Sequence, residues 1–325
     1  MTHQPPKSAS KELIANGISD LDSVIDKPSS WLSQALSVPR GEGYVESNGA
    51  QIHYFEWGDK SKPGLLLLHG FLAHSRCFAF IAPFLAEHYH VVAYDLSGMG
   101  DSDARKEYPD DIRAAEALDV AKHTGLFEHE KKPTLIAHSY GGLVAINAVN
   151  AYPDMFAGLV ICDLMVIRPA ILKERADDFK RPGNQNRDRP NRIYPDLAKA
   201  MERFVLAPPQ KVEQPELFDF MAYHSLKQVE DGWTWKFSPS VYPKDDDDAN
   251  KQWSNIGQKI VALPGKVAII YGVESLLFTP DSENYIREIG GAMPIIQIPH
   301  ARHHLMLDQP IAFVSALRTV LAMWA

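Results

Sequence analysis

One serine, Ser139, ends a short apolar run and has a small residue two positions away on each side, Ala137 and Gly141. A strand that turns sharply into a helix at such a serine holds the hydroxyl at the strand tip, where bulky neighbours would clash. A hydroxyl attacks a carbonyl carbon only with a base within hydrogen-bond reach. The spacing therefore predicts a nucleophile at Ser139, against the alternative of a serine in an ordinary turn.

The elements around this serine follow a recognisable order. Gly64–Leu68 is an unbroken apolar run, which predicts a central strand buried on both faces. The polar or glycine-rich segments that follow predicted strands are His69-Gly70-Phe71, Leu96–Ser102, the turn at Ser139 and Pro299–His304. From about Gly43 to Ala325 this order resembles the α/β-hydrolase family. The resemblance implies an α/β fold with a mostly parallel, doubly wound sheet.

By this resemblance the base is a histidine after the last strand. His303 holds the matching place, seven residues before Pro310, although Arg302 replaces the usual preceding glycine. His304 is the main alternative and His300 the next. A base at any of these positions would face the strand end that carries the serine.

The third member, a carboxylate, departs from the usual pattern. Family members commonly place it after the penultimate strand in a Gly-x-x-Asp pattern, but here that position is Ser275. Other members place it one strand earlier, where this chain has Asp163. Because the tips of neighbouring parallel strands lie side by side, we expect Asp163 to meet His303, with Glu274 and then Asp281 as alternatives.

The resemblance also implies an oxyanion hole of two backbone N–H groups, from Phe71 and Tyr140, with Leu72 as the alternative to Phe71. His138 is expected to be structural and to point away from the pocket. Together these residues predict a serine hydrolase that cleaves a carboxylic ester or lactone through an acyl-enzyme, with no metal or organic cofactor.

Two other functions stay open. The same residues serve hydrolysis of a carbon–carbon bond in a diketone-type substrate, and a ligand-binding protein could keep the fold without turnover. Epoxide hydrolases and haloalkane dehalogenases use a nucleophilic aspartate. Because position 139 is serine, the sequence argues against both of these activities.

Composition narrows the class of partner to a small-molecule substrate. The net charge is −8, so no excess of basic residues favours nucleic acid. No apolar run is long enough for a membrane span, the first forty residues lack a signal-peptide core, and two cysteines cannot form a disulfide framework. We expect a cytoplasmic protein, while the oligomeric state cannot be read from the sequence.

The chain divides into four predicted parts. Residues 1–42 form an N-terminal extension in which 20–25 and 31–36 are candidate short helices. Residues 43–167 and 251–325 form the core, and the charged, proline-rich residues 168–250 form a helical lid with helices over 196–206 and 215–224. Within the lid, the aromatic run 233–237 is expected in the lid core or pocket wall, and the acidic run 245–248 in a solvated loop.

Overall fold

The computed structural model describes residues 29–174, 187, 189–243, 253 and 255–325. Within them an eight-stranded sheet forms the centre, in the order β1-β2-β4-β3-β5-β6-β9-β10. Its strands are β1 (Gly41–Ser47), β2 (Ala50–Trp57), β3 (Gly64–Leu68), β4 (His90–Tyr94), β5 (Thr134–His138), β6 (Gly158–Cys162), β9 (Lys266–Gly272) and β10 (Ile295–Ile298). The strands from β4 to β10 in this order pair in parallel, so the predicted mostly parallel sheet is confirmed.

The antiparallel edge of the sheet is the predicted hairpin of β1 and β2. Ser47 pairs with Ala50, and the two residues between them, Asn48 and Gly49, have φ of 47° and 78°. Positive φ at both central positions matches the twist of the flanking strands, which is why Asn-Gly favours this turn.

Helices cover both faces of the sheet, and three more, α5 to α7, lie within residues 168–250. The helices are α1 (Ser30–Leu36), α2 (Ala82–Ala86), α3 (Asp110–His123), α4 (Tyr140–Ala151), α5 (Pro169–Glu174), α6 (Leu197–Met201), α7 (Pro215–His224), α8 (Ile256–Val261), α9 (Pro280–Glu288), α10 (Leu305–Asp308) and α11 (Pro310–Met323). Every residue of β3, β4, β5 and β6 is buried, as expected of strands packed on both sides. Apolar residues form one cluster on each face, so the sheet is doubly wound.

The predicted lid lies in the chain between β6 and β9, and residues 168–250 are called the insertion below. The predicted helix over 215–224 is confirmed as α7, whereas the one over 196–206 is shorter and ends at Met201. The run 233–237 is partly a strand: β7 (Leu226–Val229) and β8 (Gly232–Trp235) form a separate antiparallel pair. Residues 20–25 and 245–248 lie outside the described residues.

Candidate active site

Ser139 occupies a strained turn between β5 and α4. Its φ of 52° and ψ of −124° are unusual for a residue with a side chain. The turn fits because of its neighbours: a Cβ at Gly141 would lie 2.6 Å from the carbonyl oxygen of His69, and one at Gly70 would lie 3.2 Å from the Ser139 Cβ. The local sequence therefore permits the sharp turn, and Ser139 lines the main cavity.

Asp163 follows β6, the strand next to β5, and also has a positive φ, of 50°. Its carboxylate is fully buried and accepts three hydrogen bonds. The Gly272 N–H donates to Oδ2 over 2.9 Å, while the Ser275 hydroxyl and His303 Nδ1 contact Oδ1 over 2.6 and 2.8 Å. Burial raises the pKa of Asp163 to about 7, although the bonds from Ser275 and Gly272 act to lower it.

His303 lies against Asp163, which is the contact expected from the resemblance to the α/β-hydrolase family. Since Oδ1 of Asp163 accepts, Nδ1 of His303 carries the proton and Nε2 keeps its lone pair. Nε2 is buried and has no hydrogen-bond partner among the described residues, so it makes no bond to Ser139 in this structure. Burial lowers the pKa of His303 to about 3, which favours the neutral ring that can accept a proton.

The alternative acids and bases have other partners. Glu274 forms an ion pair of 2.9 Å with Arg302, and Asp281 bonds to Arg168 over 3.1 Å. His300 is exposed and lies 3.7 Å from Glu274. His304 is buried beside His303 and lines the cavity, but no carboxylate orients its ring among the contacts of the described residues.

The expectation that His138 points away from the pocket is wrong. It lines the cavity, and its Nε2 lies 2.8 Å from the carbonyl oxygen of His303, to which it must donate. The ring also packs on that of His303, with centroids 4.7 Å apart. The expectation was based on the tight turn at Ser139, whereas the hydrogen bond to the His303 carbonyl holds the ring at the cavity wall.

Phe71 and Tyr140, whose N–H groups form the predicted oxyanion hole, line the cavity together with Ser139. Leu72, the alternative donor, gives its N–H to the sulfur of Met99 over 3.2 Å, which favours Phe71 as the partner of Tyr140. The loop is held by His69, whose Nδ1 donates to the Gly70 carbonyl over 2.8 Å while Nε2 accepts from the Leu96 N–H over 3.0 Å.

The cavity above Ser139 has a volume of about 1060 Å³. Its walls come from both the sheet's loops and the insertion and are largely apolar and aromatic. Those from the insertion include Phe204, Leu206, Met221, Trp235, Phe237 and Tyr242. A volume of this size is sufficient for a small to medium organic molecule.

A second histidine–aspartate pair, which the sequence analysis missed, lies below the loop after β4. His53 Nδ1 is 2.8 Å from Asp95 Oδ2, and its Nε2 is 2.8 Å from Glu42. Burial opposes the charged ring, but the two carboxylates prevail and raise the pKa of His53 to about 9. The pairing of β2 with β4 creates this contact between residues 42 positions apart, and no local pattern in the sequence indicates it.

Cations also surround this second pair. Asp101, whose N–H donates to Asp95 over 2.8 Å, forms ion pairs of 2.6 Å with Arg76 and with Lys236 of the insertion. Although His53, Asp95 and Asp101 are close enough to hold a metal ion, these side-chain cations already supply the positive charge. We therefore interpret this cluster as a structural ion-pair network.

Comparisons with known proteins identify the family of this chain. The model of the alpha/beta hydrolase family matches residues 65–317, so the chain belongs to that family. A curated relative is mouse epoxide hydrolase 4, 31% identical over 142 residues, which are 42% of this chain and 38% of that protein. A zebrafish serine hydrolase-like protein is 27% identical over 188 residues, 55% of this chain and 56% of that protein.

Solved structures show the same fold at low identity. E-2-(acetamidomethylene)succinate hydrolase has a TM-score of 0.72 and 17% identity, covering 87% of this chain and 100% of that one. An esterase from Mycobacterium tuberculosis has a TM-score of 0.67 and 19% identity, covering 90% and 95%. Membership of the alpha/beta hydrolase family supports the interpretation of this protein as a hydrolase.

No helix in the described part of the chain is long and apolar enough to cross a membrane.

Proposed function

We propose that this protein is a serine hydrolase that cleaves a carboxylic ester or lactone through an acyl-enzyme on Ser139. The observation that carries the proposal is the orientation of His303. Its Nδ1–H donates to the buried Asp163, which leaves the Nε2 lone pair unpartnered, and its ring packs against that of His138, the residue before Ser139. A base fixed in this way is what a serine hydroxyl needs for attack.

In the proposed reaction, Ser139 Oγ attacks the carbonyl carbon while His303 Nε2 takes the hydroxyl proton. The N–H groups of Phe71 and Tyr140 bind the oxyanion, and Asp163 stabilises the imidazolium. His303 then gives its proton to the departing alcohol oxygen. Water, activated by the same nitrogen, releases the carboxylic acid and restores Ser139.

The missing Ser139–His303 hydrogen bond is compatible with this reaction. Such bonds are often long in enzymes without substrate and shorten only in the reactive complex. The imidazole already has its carboxylate partner, so the reaction requires the Ser139 hydroxyl to meet Nε2 in the complex with substrate. The serine at position 139 also separates this chain from epoxide hydrolases, for which an aspartate nucleophile is expected.

The division into parts belongs to the same proposal. We propose that the insertion acts as a lid over a core of residues 43–167 and 251–325, because its aromatic residues wall the cavity above Ser139. Lys236 ties it to the core through Asp101. The substrate is then a small to medium organic molecule, no cofactor takes part, and residues 1–42 form an extension of the core.

The test is hydrolysis of a series of p-nitrophenyl esters and of lactones by the wild type and by Ser139→Ala. We expect a burst of one p-nitrophenol per chain in the wild type and none in Ser139→Ala. The matched control is Ser315→Ala, an exposed serine on α11, which should keep the burst. Ligand binding without turnover in the folded wild type would favour the non-catalytic alternative, and turnover of diketones alone would favour carbon–carbon hydrolysis.

A further inference from the structure

Three buried imidazoles lie against one another at the end of the cavity. The ring centroids of His138 and His303 are 4.7 Å apart, those of His303 and His304 are 4.9 Å apart, and those of His138 and His304 are 5.5 Å apart. The proposed reaction uses only His303. Two further histidines in contact with it, on a cavity wall that is otherwise apolar and aromatic, require a separate explanation.

Each of the three rings donates one N–H to a protein acceptor. His303 Nδ1 donates to the Asp163 carboxylate, and His138 Nε2 donates to the His303 carbonyl. His304 bonds to the backbone of Pro208, which has only a carbonyl to offer, so a ring N–H of His304 is the donor. These bonds fix the tautomer of every ring.

The opposite nitrogen of each ring therefore keeps a lone pair. Nε2 of His303 and Nε2 of His304 are buried and have no hydrogen-bond partner among the described residues. Nδ1 of His138 faces Gly70, where a Cβ would lie only 3.1 Å from it, so the glycine leaves this nitrogen open. Buried polar atoms without partners are rare in proteins, and the proposed reaction accounts only for the one on His303.

We propose that His138, His303 and His304 bind a divalent transition-metal ion of the zinc class. One ring nitrogen of each lies within 4.8 Å of one ring nitrogen of each of the others. Metal-binding histidines typically donate their second nitrogen to a carboxylate or a backbone carbonyl, which is the arrangement of all three rings here. Three imidazoles with no carboxylate oxygen among them favour zinc, copper or nickel over magnesium or calcium.

Binding requires the three ligand atoms to come closer together than the 4.8 Å within which they now lie. Zinc–nitrogen bonds of about 2.0–2.1 Å place neighbouring ligand atoms about 3.4 Å apart in a tetrahedral site. His138 and His304 both line the cavity, so a metal ion can reach them from the substrate space.

The metal would be an inhibitor of the proposed reaction, and this second statement rests on the proposed function. A metal on His303 Nε2 occupies the lone pair that must accept the Ser139 proton. The apo protein and the metal-bound protein are then an active and an inactive state, and the free metal concentration sets their ratio.

Titration of zinc chloride into the full-length, chelator-treated protein tests the site by calorimetry. We expect one high-affinity site per chain in the wild type. Ser139→Ala, which lacks the nucleophile but keeps all three histidines, should bind with the same affinity, so the result does not depend on turnover. His304→Gln and His138→Gln should each weaken binding by more than tenfold.

His300→Gln is the matched control, because His300 neighbours the cluster in sequence but is exposed. It should bind zinc as the wild type does, which separates the cluster from adventitious surface histidines. Circular dichroism verifies that each variant is folded. The site is overturned if the wild type shows no saturable binding, or if His304→Gln and His138→Gln in the folded state bind as tightly as the wild type.

Ester hydrolysis at increasing zinc concentration tests the inhibition separately. Activity should fall along the same binding curve and return with excess chelator. Binding without a loss of activity, or a requirement for zinc, would contradict the inhibitory role while leaving the metal site in place. Absence of hydrolysis in the metal-free wild type would instead count against the proposed function.

Discussion

Two histidine–aspartate pairs in this protein have the same Nδ1–Oδ distance, 2.8 Å, and opposite properties. Asp163 follows the end of β6 and His303 follows β10, at the edge of the sheet that carries the strained turn at Ser139. His53 and Asp95 lie where β2 meets the end of β4. Both imidazoles are buried, so neither burial nor a carboxylate partner by itself distinguishes a candidate catalytic histidine from a structural one.

The difference lies at the second nitrogen. Nε2 of His53 contacts Glu42, so the ring is held between two carboxylates and the pKa rises to about 9. Nε2 of His303 has no partner, and burial lowers the pKa of that ring to about 3. A histidine whose two ring nitrogens both contact carboxylates is held in its charged form. A histidine with one unpartnered ring nitrogen can accept and release a proton there.

The two aspartates should therefore fail in different ways. Asp163→Asn should lower kcat by about 10⁴-fold in a protein that still folds, because His303 loses its orienting carboxylate. Asp95→Asn should leave kcat per folded molecule little changed but lower the free energy of unfolding by about 3–5 kcal/mol, because the charged His53 loses a buried partner. Steady-state kinetics and urea unfolding of both variants measure this. The reverse pattern would exchange the roles of the two pairs.

The pH dependence of stability should have opposite signs for the two histidines. The folded-state pKa of His53, about 9, is above the ordinary 6.5, so its contribution is complete below pH 6.5 and is lost as the pH rises to about 9. That of His303, about 3, is below 6.5, so its contribution is complete above pH 6.5 and is lost as the pH falls. For His53 the loss corresponds to about 3 kcal/mol.

Free energies of unfolding of the wild type, His53→Gln and His303→Gln across both pH ranges check these signs. The difference between the wild type and His53→Gln should shrink in the alkaline range. The difference between the wild type and His303→Gln should shrink in the acid range. If both differences in the free energy of unfolding shrink in the same pH range, the opposite signs expected for His53 and His303 are wrong.

Ser275 should act as a positioning residue for Asp163. Its hydroxyl lies 2.6 Å from Oδ1 and lowers the pKa of that carboxyl, at a position where related enzymes commonly carry the acid itself. Ser275→Ala should lower kcat by about tenfold, since a hydrogen bond to a charged group is worth about 1.5–3 kcal/mol. The acid limb of kcat/KM should also move to higher pH.

Ser275→Thr is the matched control, because it keeps the hydroxyl and should restore most of kcat and the original acid limb. If Ser275→Ala only lowers stability and leaves the pH profile in place, the hydroxyl has a structural role alone.

The smallest effect is expected at Glu274. It pairs with Arg302 at the surface, and exposed ion pairs contribute only about 0–1 kcal/mol, so Glu274→Gln should leave kcat nearly unchanged. Steady-state kinetics in parallel with Asp163→Asn checks this. A large loss in Glu274→Gln with a mild one in Asp163→Asn would assign the acid to Glu274.

The sequence predicts local features of this fold well, because local chemistry determines them. The apolar strand 64–68, the Asn48-Gly49 turn and the small residues around Ser139 each indicate a structure from a few adjacent residues. The order of motifs then places Asp163 and His303 at the same edge of the sheet, and the structure has them in contact although β9 lies between β6 and β10.

Features that depend on contacts between distant segments cannot be predicted from the local sequence. The contact of His138 with the His303 carbonyl joins residues 165 positions apart, and the His53–Asp95 pair arises only from the register of β2 with β4. From the sequence, Ser275 only indicates that the usual carboxylate is missing at this position. In the structure its hydroxyl donates a hydrogen bond to Asp163. The β7–β8 pair is a further example. The aromatic residues of the run 233–237 do not indicate that part of the run forms a strand paired with β7.

The most direct test of the account is the labelling rate of Ser139 by a fluorophosphonate probe, with the labelled residue located by mass spectrometry. Wild type and folded His53→Gln should label on Ser139 at similar rates, because the His53 pair has only a structural role. His303→Gln should label more slowly by about 10²-fold or more, because the hydroxyl has lost its base. Labelling of His303→Gln at the wild-type rate, or at a residue other than Ser139, would contradict the account.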